Sequence, residues 1–200
     1  FADPGEDRAV LNLGGIANLT FLPRSGAVTG FDSGPGNCLL DFWASLHIAA
    51  PYDAGGSWAA GAGSIPALLE RLLSEPYFAA APPKSTGRDL FNEDWLRKSL
   101  QGDEEARAVQ ATLLELTARS VADAMARHCR GAKRLVVCGG GAKNRTLMRR
   151  IGELAAPAAL ESSERHGIEP GLVEATAFAW LARQAIAART ASLPSVTGAR

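Results

Sequence analysis

Three glycine-rich strings contain the residues of this 200-residue chain whose types and spacing suit chemistry. The first string is residues 11–20, LNLGGIANLT, in which Gly14 and Gly15 form a turn between two apolar runs and Asn18 follows. Because glycine has no Cβ, the backbone N–H groups of such a turn can approach an anion closely. An ordinary hairpin turn explains the same residues, and for this string taken alone it is the better interpretation.

The second string, residues 138–144 (CGGGAKN), follows an apolar run and precedes a helical pattern. A helix that begins there directs free N–H groups and a partial positive charge toward a bound phosphate or nucleotide. The string is not a dinucleotide fingerprint, because Asn144 stands where the last glycine belongs. Its candidate nucleotide-binding residues are Gly139, Gly140, Gly141 and Asn144, and the alternative is that the glycines only allow a strand and a helix to pack tightly.

The third string, residues 30–37 (GFDSGPGN), places Asp32 at the end of a predicted strand and before a helix. A carboxylate at such a point faces a cleft and can accept a proton from water or from a hydroxyl group. The alternative is an aspartate that only bonds the backbone of its own turn. Ser33 is not the nucleophile of a GxSxG elbow, because that pattern is not satisfied around it.

Two cations, Lys84 and Arg88, flank the Pro- and Gly-rich end of a long loop that includes residues 81–87 (APPKSTG). A pair of cations in such a loop suits a phosphate or a sugar carboxylate. Solvated loop charges are the alternative interpretation. A loop of this length inside a compact domain is more often functional than idle.

Composition argues against several classes of protein. The 21 basic and 21 acidic residues give a net charge of zero, which argues against binding to nucleic acid. No stretch of about 18 apolar residues is present, so no transmembrane helix is expected. Cys38, Cys129 and Cys138 lack CxxC spacing and indicate a reduced cytoplasmic protein, and no histidine pattern predicts a metal site.

The elements that must position these strings alternate in a way typical of an α/β protein. Strands are predicted at residues 8–13, 17–22, 27–31, 135–138 and 158–161, the first three forming an antiparallel meander. Helices are predicted at residues 38–49, 65–73, 104–128, 144–155 and 172–189. The pattern predicts a mixed five-stranded sheet with helices on both faces, interrupted by a helical and loop insertion at about residues 51–103.

The last predicted helix, residues 172–189, is rich in alanine and other small apolar side chains. We therefore expect it to pack tightly against the sheet. The aromatic residues Phe42, Trp43, Phe178 and Trp180 are expected in the core.

Taken together, the strings resemble the anhydro-N-acetylmuramic acid kinase family, which are sugar kinases of the actin-like ATPase superfamily. Three further strings carry the resemblance: residues 82–88 (PPKSTGR), 174–180 (EATAFAW) and 193–199 (LPSVTGA). The resemblance covers almost the whole chain, and so many strings in the same order are highly specific. It implies an actin-like (RNase H-like) lobe and a two-lobed enzyme with ATP in the cleft.

The resemblance also implies an activity and the residues that perform it. Such kinases open the 1,6-anhydro ring of anhydro-N-acetylmuramic acid while phosphorylating O6, which gives N-acetylmuramic acid 6-phosphate for recycling of the cell wall. Asp32 would be the base that activates water, and Mg²⁺ would neutralise the nucleotide phosphates. The implied phosphate loop is Gly14, Gly15 and Asn18, the implied adenosine site is Gly139, Gly140, Gly141 and Asn144, and the implied sugar ligands are Ser33, Gly34, Asn37, Lys84 and Arg88.

One departure from the family concerns its Gly-Thr-Ser-rich first phosphate loop, which nothing in this chain matches. Residues 1–200 are therefore predicted to be the C-terminal lobe, without the N-terminal lobe, and not active alone. The predicted partners are an amino sugar and ATP in the cytoplasm, with no nucleic acid and no membrane, and a homodimer is implied by resemblance only. Two alternatives remain: a non-catalytic actin-like nucleotide-binding module, or a kinase for another amino sugar such as N-acetylglucosamine.

Overall fold

A computed structural model of the chain describes residues 1–193 and Val196. Most of the tail string at residues 193–199 therefore lies outside the described residues. A five-stranded sheet in the order β3-β2-β1-β4-β5 forms the centre of the fold. Its strands are β1 Arg8–Leu13, β2 Ile16–Leu22, β3 Thr29–Pro35, β4 Arg134–Cys138 and β5 Ala159–Ser162.

The sheet is mixed, as the sequence predicted. β1 pairs antiparallel with β2, and β2 with β3, whereas β4 lies parallel to both β1 and β5. The predicted end of the third strand at residue 31 is wrong. β3 continues to Pro35 because its ladder pairs Asp32 with Asn18 and Pro35 with Ile16, across a bulge in β3 at Ser33. Asp32 therefore lies within a strand and not in the turn after it.

Seven α-helices occur in the described part of the chain. They are α1 Cys38–Ile48, α2 Pro66–Leu73, α3 Pro76–Ala79, α4 Glu93–Ser99, α5 Ala106–His128, α6 Arg145–Leu154 and α7 Val173–Ile186. The stretch between α1 and α5 holds α2, α3 and α4, of which the sequence predicted only α2. Within the described residues, no helix combines the length and apolar character needed to cross a membrane.

The core lies between the sheet and α5. The side chains of β1 alternate between the two faces, so that Leu11 and Leu13 are fully buried on one of them. Every residue of 109–118 in α5 is buried, because that helix packs against α1, α2, α6 and the sheet at the same time. Trp43 of α1 joins this core, and Phe42 packs against it, as expected.

The opposite face of the sheet is covered loosely. α7 lies over it, but a groove of about 810 Å³ separates Val10 and Thr20 of the sheet from Ala177 and Trp180 of the helix. The expectation of tight packing is wrong, because the alanines of α7 do not fill this space and no residue of the helix is buried. Phe178 and Trp180, which were expected in the core, are 63% and 48% exposed.

Candidate active site

Asp32 is held by donors from two other segments. Its Oδ1 accepts a hydrogen bond from Nδ2 of Asn18 on β2, at 2.9 Å. Its Oδ2 accepts from Oγ of Ser85 and from the backbone N–H of Thr86, both at 2.9 Å. The carboxylate thus does more than bond its own turn, and the 82–88 string of the sequence folds against it.

A second set of bonds fastens this loop to the backbone of Asp32. The Tyr77 hydroxyl donates to the Asp32 carbonyl at 2.8 Å, and the Asp32 N–H donates to the Lys84 carbonyl at 3.2 Å. Nζ of Lys84 donates to the Tyr77 carbonyl at 3.1 Å and lies 4.6 Å from the centre of the Tyr77 ring. Burial raises the pKa of Tyr77 and lowers that of Lys84. Lys84, predicted to bind the sugar, is thus engaged with its own loop.

The Gly14–Gly15 turn is held by its carbonyl groups. The N–H groups of Gly36 and Cys38 donate to the Gly15 carbonyl at 2.9 and 3.1 Å, and that of Asn37 donates to the Gly14 carbonyl at 2.8 Å. Within residues 1–193 and Val196, the N–H groups of the two turn glycines donate to no acceptor. The turn therefore presents two unused donors, as an anion site requires.

Ser33 and Gly34, predicted as sugar ligands, have packing partners. Ser33 is buried, and its Oγ donates to the Ala17 carbonyl at 3.1 Å. A Cβ added at Gly34 would lie 2.6 Å from Cε1 of Phe78 and 3.3 Å from Oγ of Ser120, on a backbone with φ of +151°. Their contact with a sugar stays a prediction, whereas their role in packing is visible.

In the second glycine string, Gly139 and Gly141 are closely packed, whereas Gly140 faces open space. Gly139 has φ of +85°, and an added Cβ would lie 2.7 Å from the Leu13 carbonyl oxygen, so the residue must be glycine. Gly141 is packed against Leu13 in the same way. Oδ1 of Asn144 accepts from the N–H of Leu147 at 3.0 Å and so caps the start of α6. Gly139 and Gly141 therefore have the packing role that the alternative describes, and their contact with a nucleotide stays a prediction.

A cavity of about 350 Å³ lies beside this string. Its walls come from the start of α1, from the stretch that follows α1, and from the loop between β4 and α6. Among its lining residues are Asn37, Asp41, Tyr52, Gly140, Gly141 and Asn144. The volume falls in the range of small-molecule sites. Burial raises the pKa of Asp41, and the nearby positive charge of Arg88 opposes this change.

Asn37 joins the two glycine strings. Its Nδ2 donates to the Leu13 carbonyl at 3.2 Å, and its Oδ1 would be only 2.9 Å from a Cβ added at Gly141. Arg88 lies beside the other glycine turn, since a Cβ added at Gly15 would be 3.4 Å from its Nη2. The structure thus brings most of the predicted site residues to one edge of the sheet.

Several residues of this candidate site are not among those predicted from the sequence. Ser85 and Thr86 bind the Asp32 carboxylate, and their signal was present in the 82–88 string. Tyr77 supports the Asp32 backbone, and no sequence pattern marked it. Asp41 and Tyr52 line the cavity and lie outside every string. Across the described ranges, no cluster of three His, Cys, Asp or Glu side chains could hold a metal ion.

The strand order, the parallel and antiparallel pairing and the two glycine turns at one edge define a lobe of the actin-like ATPase fold. A solved structure with this fold is the activator of the 2-hydroxyisocaproyl-CoA dehydratase from Clostridium difficile with bound ADPNP. The two chains are 16% identical with a TM-score of 0.53, over 93% of this chain and 65% of the other.

A family model described as anhydro-N-acetylmuramic acid kinase matches residues 1–200, and the chain belongs to that family. A relative of that name from Xanthomonas axonopodis pv. citri is 53% identical over 195 residues, which are 97% of this chain and 52% of the relative. A relative of that name from Nitrosomonas europaea is 48% identical over 199 residues, which are 100% of this chain and 55% of the relative. The chain spans about half the length of these curated relatives.

Proposed function

We propose that this chain forms the C-terminal lobe of an ATP-dependent kinase that opens the 1,6-anhydro ring of anhydro-N-acetylmuramic acid and phosphorylates O6. The product is N-acetylmuramic acid 6-phosphate. Membership of the family supports the substrate and the reaction. The observation that carries the proposal is the Asp32 carboxylate, which three hydrogen-bond donors orient. Asp32 lies on β3, and β3 pairs with β2, the strand that follows the Gly14–Gly15 turn.

The Asp32 carboxylate has an unoccupied lone pair, which a base needs to accept a proton. A carboxylate has about four lone-pair sites, and the bonds from Asn18, Ser85 and Thr86 occupy three of them. The remaining site is available for one water molecule. The three donors fix the direction of that site, which is how a base is placed within reach of the proton it removes.

The reaction balances with one water molecule. As the water oxygen bonds to the anomeric carbon C1, one of its protons passes to Asp32 and the other stays on the new C1 hydroxyl. The bond between C1 and O6 breaks, and its electron pair on O6 forms a bond to the γ-phosphorus of ATP. ADP leaves with the electrons of the broken P–O bond, and Asp32 later releases its proton to solvent.

The nucleotide is proposed to lie along the edge that holds both glycine strings. Adenosine occupies the cavity of about 350 Å³ beside Gly140 and Asn144, and the phosphates reach the free N–H groups of Gly14 and Gly15. Mg²⁺ commonly binds to phosphates and water with only one or two protein carboxylates. A lobe whose described residues contain no three-ligand cluster fits such an ion, which would neutralise charge on the phosphates.

The other wall of the cleft is proposed to come from a lobe that corresponds to the half of the relatives outside the region aligned with this chain. The relatives are about twice as long as the matched region, and the first phosphate loop of the family has no match in this sequence. We place the enzyme in the cytoplasm, where the three buried free thiols stay reduced. A homodimer is proposed from the family alone.

The test joins this chain to the unmatched half of the Xanthomonas relative, which is 53% identical to it in the shared region. We expect the joined enzyme to convert ATP to ADP with anhydro-N-acetylmuramic acid and not with N-acetylglucosamine. The 200-residue chain alone should bind ADP without turnover. Turnover with N-acetylglucosamine would support the other sugar kinase, and nucleotide binding without any turnover by the joined enzyme would support the non-catalytic module.

Substitution of the base gives the sharpest single result. Asp32→Asn in the joined enzyme should lower kcat by at least about 10²–10⁴-fold, because an amide cannot take the proton from water. ATP binding should stay within about twofold, because Asp32 does not belong to the phosphate turn. Asp7→Asn, at the opposite edge of the sheet, is the matched control and should leave kcat unchanged. Retained turnover in Asp32→Asn would remove Asp32 as the base.

A further inference from the structure

Arg88 lies against the Gly14–Gly15 turn. A Cβ added at Gly15 would be 3.4 Å from Nη2 and 3.7 Å from Nε of Arg88, so the guanidinium group lies within van der Waals distance of that position. Neither glycine of the turn has a positive φ, and conformational freedom therefore does not explain Gly15. Arg88 and the two free N–H groups of the turn thus lie at one surface.

The guanidinium group of Arg88 has no hydrogen-bond or ion-pair partner among the described residues. The contrast is with Lys84, four residues earlier, whose ammonium group binds the Tyr77 carbonyl and ring. The five N–H donors of Arg88 are thus free to bind an oxyanion, in a planar geometry that matches phosphate.

The charge of Arg88 acts on the nucleotide side of the site. Burial raises the pKa of Asp41, which lines the cavity, and that of Cys38 at the start of α1, and in both cases the positive charge of Arg88 partly opposes the rise. Arg88 is therefore close to the turn proposed for the phosphates, and its charge also reaches a residue of the cavity proposed for adenosine. The residues of the same loop that reach Asp32, and hence the proposed sugar side, are Ser85 and Thr86.

We infer that Arg88 binds a terminal phosphate of the nucleotide, together with the free N–H groups of Gly14 and Gly15, and is not a ligand of the sugar. The resemblance had grouped Arg88 with the sugar ligands, and its distance from Gly15 is what changes the assignment. The inference rests on the proposed function, because it requires a nucleotide at this edge. It adds a residue that distinguishes di- and triphosphates from adenosine.

The first experiment measures binding of ADP, pyrophosphate and adenosine to the 200-residue chain by calorimetry. Arg88→Gln should weaken binding of ADP and of pyrophosphate by about tenfold or more, since a charge-assisted paired contact is lost. Binding of adenosine should stay within about twofold. Arg24→Gln, at the opposite edge of the sheet, is the matched control and should change none of the three.

Two further variants separate charge from geometry. Arg88→Lys keeps the charge without the planar fork and should recover only part of the lost affinity for ADP. Gly15→Ala adds a methyl group to the surface that the guanidinium group shares with the turn and should also weaken binding of ADP. In the double variant Gly15→Ala with Arg88→Gln, the two losses should not add, because both act on the same contact.

The same variants in the joined enzyme locate the effect on the reaction. Arg88→Gln should raise the KM for ATP and leave the KM for the sugar within about twofold. A raised KM for the sugar with an unchanged KM for ATP would overturn the inference, and so would equal weakening of ADP and adenosine. If the unsubstituted chain binds ADP and Arg88→Gln binds it as tightly, only the role of Arg88 fails. If the unsubstituted chain binds no nucleotide, the proposed function fails and the inference fails with it.

Discussion

The two faces of the sheet are covered by helices that look equally suitable in the sequence and behave differently in the structure. α5 and α7 both carry apolar side chains along their length, yet α5 buries every residue of 109–118 and α7 buries none. The difference lies in what surrounds each helix. α5 is enclosed by the sheet and three other helices, whereas α7 packs mainly against the short turn at residues 170–172 that precedes it and leaves a groove between itself and the sheet. Apolar composition therefore does not by itself determine burial.

Removal of a large side chain from α5 should have the largest effect on stability. Leu116 is 0% exposed, and Leu116→Ala should lower the free energy of unfolding by about 2–5 kcal/mol through lost burial and a cavity. Leu181→Ala on α7, where the side chain is 39% exposed, is the matched control and should cost about 1 kcal/mol or less. Urea unfolding of both variants measures the difference. Equal losses would mean that α7 is as well packed in solution as α5.

An intermediate effect is expected where α5 is tied to α6 by charge. Glu115 accepts from Nε and Nη2 of Arg150 at 2.7 and 2.8 Å, and also from Arg119 at 2.7 Å. Glu115→Gln should lower the free energy of unfolding at pH 7 by about 1–3 kcal/mol. Glu93→Gln, in the exposed pair with Arg97, should cost about 0.5 kcal/mol or less. If both variants lower the free energy of unfolding by a similarly small amount, the bonds of Glu115 to Arg150 and Arg119 do not stabilise the packing of α5.

The same network predicts a dependence on pH. The hydrogen bond from Arg150 holds the pKa of Glu115 below its usual value. The contribution to stability is therefore complete above the pKa of the unfolded chain, about 4.3, and is lost as the pH falls through the lower pKa of the folded state. The stability of the unsubstituted chain should thus fall more steeply below pH 4.3 than that of Glu115→Gln. Parallel curves would show that Glu115 does not titrate differently on folding.

The smallest effect is expected at the groove under α7. Trp180 is 48% exposed, and Trp180→Ala should lower the free energy of unfolding by about 1 kcal/mol or less, because little of its surface leaves water on folding. Trp43→Ala on α1, from a buried position whose Nε1 donates to the Ala106 carbonyl, provides the comparison and should cost several times as much. If thermal unfolding gives the two variants the same loss, the groove is closed in solution.

Local pattern predicted much of the fold, because its elements depend on neighbouring residues. The run at residues 8–13 became β1 without change, and the helices α1, α2, α5 and α6 lie within two residues of their predicted ends. The end of β3 was missed because glycine, proline and serine indicate a turn locally. In the folded chain these residues complete a ladder with β2, whose pairing no local pattern contains.

The sequence pattern singled out residues of the candidate site but not the contacts between them. Asp32 and the glycine turns stood out by type and spacing. The bonds from Ser85 and Thr86 to Asp32 join positions more than fifty residues apart, and only folding brings them together. The difference between Lys84, which binds Tyr77, and Arg88, which lies beside Gly15, also arises from contacts that form only on folding. One cation meets the Tyr77 ring and the other meets a glycine, which the sequence alone does not distinguish.

The carbonyl bonds of the Gly14–Gly15 turn have a mechanical consequence. Because the N–H groups of Gly36, Asn37 and Cys38 hold this turn, and β3 leads directly into them, the turn, the strand of Asp32 and the first residues of α1 are joined backbone to backbone. The spacing between the Asp32 backbone and the turn is therefore set by backbone hydrogen bonds and does not depend on side-chain rotation. When a cleft of this kind opens or shuts, its hinge has to lie elsewhere, and these parts travel as one block.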